Sequence, residues 1–172
     1  METKTVTSPA VKGIIISLIL IVFNQVIIAT DQVGNQALGW VPMLLFIGAV
    51  IWGCINFANQ KEHNVSFGNV FAHGFKISAA VAAIMAVYML LLFLFIYPEL
   101  QDISLQKARE TLEKRNMSDS EIDNALSMSK RMIIPFAVGG AVLMYVIMGC
   151  IASLIGGGVA KKNPNPGPFQ QQ

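Results

Sequence analysis

Charged residues are excluded from four long stretches of this chain and gathered between them. Positions 13–30, 32–60, 77–98 and 132–160 contain no Asp, Glu, Lys or Arg, and together they make up more than half of the 172 residues. Each reaches or exceeds the roughly 17–25 residues with which an apolar α-helix crosses a bilayer core. The pattern predicts an all-α protein, a four-transmembrane-helix antiparallel bundle with a short helical extramembrane segment between spans three and four. The spans are expected at 13–30, 37–58, 76–97 and 132–160, inside one membrane domain covering 13–160. Residues 1–12 would form an N-terminal tail. Residues 161–172 would form a disordered one, because their Pro, Gly and Gln cannot offset the entropy of ordering.

The connections are read in the same way. The first is short, polar and contains Gly34, so spans one and two should form a hairpin. Trp40 and Pro42 open the second span, where proline is tolerated in a first turn and tryptophan suits an interface. Ser66 is placed to cap the segment that follows. There Phe67, Phe71 and Phe75 recur at i, i+4 and predict an amphipathic lead-in lying in the interface, with Lys76 able to snorkel.

The third connection, 99–131, is the one sizeable polar segment, with seven acidic and six basic residues. Leu105, Ala108 and Leu112 make a narrow stripe, and Arg109–Glu113 and Glu110–Lys114 are spaced as ion pairs. Ser118 through Glu121 has the capping-box pattern, so two short surface helices are expected, broken near Asn116 and Met117. Pro135 is expected to bend or break the start of span four, and Gly156–Gly158 to fray its end.

Composition sharpens this picture. A mean hydropathy of +0.58 with 13% charged residues departs from soluble domains, where about a quarter are charged. The net charge of +2 is dispersed, which gives no basic patch for nucleic acid. Lys4 and Lys12 ahead of an apolar run resemble the start of a signal peptide, but no A-x-A site follows, and a retained first span is expected. Cys54 and Cys150 fall in apolar windows and read as free buried thiols.

The basic residues on the two sides of the membrane are equal in number. The first external connection has no Lys or Arg, while Lys4, Lys12, Lys161 and Lys162 flank the first and last spans, so both termini are expected to be cytoplasmic. Small residues cluster at one end of every span. Gly53, Ala83, Gly149, Ser153 and Gly157 are the expected helix-packing positions, since small residues let membrane helices approach closely. The opposite leaflet receives bulk, Trp40, Leu44, Phe46, Tyr88 and Phe95 among others, and Leu92 is expected to face lipid.

Apart from Lys76 at the very edge of span three, no Asp, Glu, Lys, Arg or His lies within a span, which weighs against pumps, proton-coupled carriers and voltage sensors. Asn24, Gln25 and Asn56 are the notable polar residues of the spans. They suit interhelical hydrogen bonds or, alternatively, a polar lining. His63 and His73 have no third ligand nearby, and no phosphate loop, G-x-S-x-G or H-E-x-x-H motif is present. The sequence therefore points to no enzyme: it offers no catalytic, cofactor-binding or metal-binding residue and implies no cofactor.

Several features in order resemble a known family. They are the basic-tailed first span, the Ser66–Phe75 segment SFGNVFAHGF, the Met117–Leu126 segment MSDSEIDNAL, and the Gly-rich last span ending at Lys162. Over residues 12–162 the chain resembles a bacterial four-helix integral membrane family of unknown function, domain-of-unknown-function family 4199. That resemblance implies a four-span protein of the cytoplasmic (inner) membrane and brings no site residues with it. The expected function is that of a small multi-pass protein, structural or accessory, acting through protein or lipid contacts. The alternative is a carrier or channel for a small neutral solute. The expected partners are the lipid bilayer and a membrane protein or a second copy of the chain, with no nucleic acid.

Overall fold

A computed structural model describes residues 6–32, 35–115 and 117–160, the Gln36 side chain excepted. Five α-helices and no strand occur among these residues. They are α1 (Pro9–Ala29), α2 (Gln36–Gln60), α3 (Phe67–Leu91), α4 (Glu99–Glu113) and α5 (Asp119–Val159). A π-helical turn, Leu92–Ile96, extends α3. Four helices are long and apolar enough to cross a membrane: α1, α2, α3 with its extension, and α5. The expected disorder of 161–172, and the positions of Lys4, Gly34, Asn116, Lys161 and Lys162, lie outside the described residues.

The helices begin and end differently from the hydropathy reading in several places. α1 starts at Pro9, not Gly13, because Ser8 caps it, accepting from Val11 N at 3.3 Å, and proline supplies the first-turn φ. Lys12 therefore lies within the first spanning helix. Pro42 falls in the second turn of α2, whose cap is Asn35. The aromatic lead-in is no separate interfacial helix, since α3 runs unbroken from Phe67. Its three phenylalanine rings stack along one face, with centroids 6.4 and 6.1 Å apart.

α5 likewise runs unbroken through Pro135, which removes one intrahelical bond but does not end the helix, and it keeps Gly156–Gly158 helical. Its first third is the second surface helix expected from the sequence. Ser118 N donates to the Glu121 carboxylate at 2.9 Å, the return half of a capping box. α1 and α2 end without glycine. Asp31 (φ 55°) and Glu62 (φ 53°) take left-handed conformations, and the Gln32 N–H to Ile27 O and His63 N–H to Ala58 O bonds close the two ends in the Schellman manner.

The chain divides into two compact units, one up to Ile84 together with the residues from Leu143 on, the other Met85–Val142. In the first unit, buried positions recur every three or four residues on each helix. They are Lys12, Gly13, Ile16, Ser17 and Leu20 on α1; Phe46, Val50, Gly53, Cys54 and Ala58 on α2; Val70, His73, Gly74, Ile77, Ser78 and Val81 on α3; and Gly149, Ala152, Ser153, Gly156 and Gly157 on α5. Their outer faces carry Ile14, Leu18, Val22, Leu44, Trp52 and Ile155 exposed. Contiguous apolar surface on that scale suits lipid, where packing and not hydrophobicity holds helices together.

That packing uses one device three times. Gly13 and Ser17, Gly74 and Ser78, and Gly149 and Ser153 are each four residues apart. Every serine hydroxyl donates to its glycine's carbonyl, at 2.8, 3.1 and 2.6 Å. The back-bond satisfies a hydroxyl that has no water within reach. α3 and α5 then interlock reciprocally. A Cβ on Gly149 would strike Ser78, and one on Gly74 would strike Cys54 and Ser153. On the other side of α3, a Cβ on Gly13 would come 2.7 Å from that of Ala80.

The second unit comprises the end of α3 with its π turn, α4 and the front of α5. Gln101 of α4 donates to Phe93 O at 2.9 Å, and Arg109 and Glu113 form a salt bridge at 3.0 Å between exposed side chains. Leu105 and Ala108 of α4 face Met128, Met132 and Phe136 of α5 across an apolar groove of about 670 Å³. Leu92 is buried, at 5% exposed, which corrects its expected lipid-facing position. The i→i+5 bonding of the π turn, closed by the Tyr97 N–H to Leu92 O bond, shifts the helical phase there, so a 3.6-residue count places it wrongly.

Candidate functional site

The helical phase that buries Ile16 and Leu20 of α1 also buries Lys12, one turn earlier. Its ammonium, on a residue 4% exposed, donates to Gly53 O of α2 at 3.1 Å and lies 3.3 Å from His73 Nε2 of α3. Gly53 makes the approach possible. A Cβ there would sit 3.8 Å from Lys12 Cδ and 2.7 Å from Ile77 Cδ1. His73, 6% exposed, lies flat on the Phe57 ring, with centroids 4.1 Å apart and 11° between planes. Phe57 is one helical turn beyond Gly53, so α2 supplies both the carbonyl and the platform.

The reading that no ionisable residue lies within a span is thereby corrected. Lys12 and His73 are both buried inside helices long enough to cross a membrane. Among the described residues neither Lys12 nor the exposed Lys76 is in salt-bridge range of a carboxylate. Intramembrane ionisable groups are costly and are retained where they do work. The Lys12 ammonium thus has a carbonyl and an imidazole as its hydrogen-bond partners and no carboxylate within salt-bridge range among the described residues.

Beside His73 a pocket of about 390 Å³ opens between the start of α1, the end of α2 and the first turns of α3. Its walls include Thr7, Ser8, Phe57, Asn69, His73 and Lys76. Gln60 fixes the entrance by two bonds, accepting from Thr7 N at 3.2 Å and donating to Thr7 Oγ1 at 3.1 Å.

The structure places the residues singled out by sequence as follows. Gly53, Gly149, Ser153 and Gly157 are all buried between helices, Gly157 beneath the Phe67 ring. Ala83 is exposed, a correction. The inward phase of α3 passes through Ala82, and its close contact with α1 is made by Ala80. Phe46, expected in the loosely packed leaflet, is fully buried and meets Tyr145 edge-on at 5.0 Å, whereas Trp40, Leu44 and Phe95 are exposed.

Asn24, Gln25 and Asn56 are each half-buried and do not form one lining. Lys12 is level with Gly53 on the antiparallel hairpin, so Asn24 and Asn56 lie on opposite sides of that level, roughly 20 Å apart along the axis. Cys54 is buried and Cys150 half-buried, both as free thiols. Among the described residues no three His, Cys, Asp or Glu side chains are grouped to hold a metal.

A family model described as "Protein of unknown function (DUF4199)" matches residues 12–162, and the chain belongs to that family. No curated protein and no solved structure shows significant similarity to it. The matched region begins at Lys12, so it contains both members of the buried pair.

Proposed function

We propose that this DUF4199 protein is a multi-pass accessory protein of the cytoplasmic membrane, not an enzyme, acting through contacts with lipid at the surface where α1 begins and α2 ends. The observation that carries this reading is the Lys12–Gly53–His73 cluster with its adjoining pocket. It sets buried basic chemistry at one end of helices whose outer faces are apolar. Anionic lipids present the complement to a protein, a negative head above apolar chains. The reading places both termini on the cytoplasmic side, where anionic headgroups face the positively flanked spans. No observation favours the solute-carrier alternative, because Asn24 and Asn56 are far apart along the hairpin.

Native mass spectrometry of the intact chain, released from membranes in mild detergent, tests the reading. Retained anionic phospholipid is the expected result. A chain stripped of lipid that passes neutral solutes in proteoliposomes would replace it with the carrier. In the same cells a phosphatase fused after Gln172 should be inactive, and strong periplasmic activity would overturn the orientation.

A further inference from the structure

We propose that the pocket beside His73 is a phosphate site, taking its phosphate from an anionic lipid headgroup or from free inorganic phosphate. The proposal rests on the lipid-contact reading and deepens it by naming the group recognised and the residues that recognise it.

The hydrogen-bonding state of the walls carries the argument. Lys12 donates, so its contact with His73 Nε2 makes that nitrogen an acceptor and puts the ring hydrogen on Nδ1. Nδ1 has no hydrogen-bond partner among the described residues, and among them no fully buried side-chain nitrogen or oxygen is left unpaired. That nitrogen is therefore a donor reached from the pocket that His73 lines. Thr7 Oγ1 already accepts from Gln60, and Ser8 Oγ already accepts from Val11 N. Each hydroxyl keeps its own hydrogen to give away. With the Lys76 ammonium and the Asn69 NH2 group, the described walls offer a set of donors. A ligand that fits is acceptor-rich and negatively charged.

Charge points the same way. Lys76 lines the pocket and Lys12 stands directly behind His73, with no carboxylate among the described residues of the walls. The 21-residue α1 begins at the pocket rim and adds the positive end of its dipole. A phosphate has several acceptor oxygens and more than one bond's worth of negative charge, so it can engage Nδ1–H, a hydroxyl and the Lys76 ammonium together. About 390 Å³ leaves room for part of a substituent beyond the phosphorus, as a glycerophospholipid requires.

The test uses the full-length protein in a neutral detergent, with thermal unfolding followed by tryptophan fluorescence. Dihexanoyl phosphatidic acid, dihexanoyl phosphatidylcholine and inorganic phosphate are titrated separately into wild type, Lys76→Gln and Lys61→Gln. Lys76 is exposed, so its variant should fold. Lys61 is exposed near the same end and outside the pocket, and it reports non-specific attraction. Phosphatidic acid should raise the unfolding temperature saturably, and phosphatidylcholine should not. The midpoint should weaken about tenfold in Lys76→Gln, the loss of one charge-assisted contact, and stay unchanged in Lys61→Gln.

A saturable shift with inorganic phosphate that matches phosphatidic acid, and is weakened by Lys76→Gln, assigns the site to free phosphate and also supports the proposal. Equal midpoints in wild type and Lys76→Gln, or no saturable shift with any phosphate carrier, overturn it. Should anionic lipid still be retained on purification, only the site is refuted. If none is retained, the lipid-contact reading fails with it.

Discussion

The reciprocal contact of α3 and α5 can be broken with a single methyl group. A Cβ on Gly149 would collide with Ser78 Cβ and Oγ and lie 3.4 Å from Phe46 Cζ. The Ser78 Cβ is fixed to its backbone and cannot swing away, so Gly149→Ala has to push the helices apart. Gly139→Ala is the matched control on the same helix, because a Cβ there meets nothing within 4 Å. Each change gains the same helix propensity, up to about 1 kcal/mol. The difference between the two variants therefore isolates the packing cost, about 1–3 kcal/mol against Gly149→Ala.

Unfolding in bicelles by added denaturing detergent measures both against wild type. Ser78→Gly removes the obstructing Cβ. Combined with Gly149→Ala it should recover part of the loss, a coupling of about 0.5–3 kcal/mol between residues in contact. Equal stability of the Gly149 and Gly139 variants would show that the helices are not in contact there, and absence of coupling with Ser78 would say the same.

Two further outcomes follow from burial. His73→Leu should destabilise the chain by about 1–3 kcal/mol, because the Lys12 ammonium loses one of its two partners, whereas Lys12→Met with His73→Leu should restore most of that loss. An additive double variant in the same unfolding assay refutes the pair. Leu92→Ala, at a residue 5% exposed, should cost about 2–5 kcal/mol, while Leu94→Ala, at 50% exposed, should cost little. Equal costs for the two would refute the buried phase of the π turn.

The four spans were legible because exclusion of charge over some 20 residues has few other causes in a folded chain. The helix ends were less so. Hydropathy places the edge of a span where charge stops, and so it cut α1 at Gly13. The Ser8–Pro9 pair, an N-cap followed by a first-turn proline, marked the true start. The same bias split α3 at Lys76 and α5 at Pro135. A long side chain at the membrane edge and a proline in the middle of a strong apolar run are both compatible with an unbroken helix when neighbouring helices hold it in place.

The candidate site was hidden by that error about ends. With Lys12 in a tail and His73 in a connection, neither counts as intramembrane, and the spans look free of buried charge. Phase was the signal that could have found them. Lys12, Ile16 and Leu20 fall four residues apart, as do His73, Ile77 and Val81, so the faces that bury the aliphatic residues also bury the lysine and the histidine. Their meeting with Gly53 was beyond reach, because it depends on the relative register of three helices, and apolar packing alone does not announce register in a sequence. The register is set by Gly13 under Ala80, Gly53 under Ile77 and Gly149 under Ser78. The small residues read from the sequence as a packing motif thus also serve the chemistry. They hold the helices close enough that a lysine on the first, a carbonyl on the second and an imidazole on the third come within hydrogen-bonding distance.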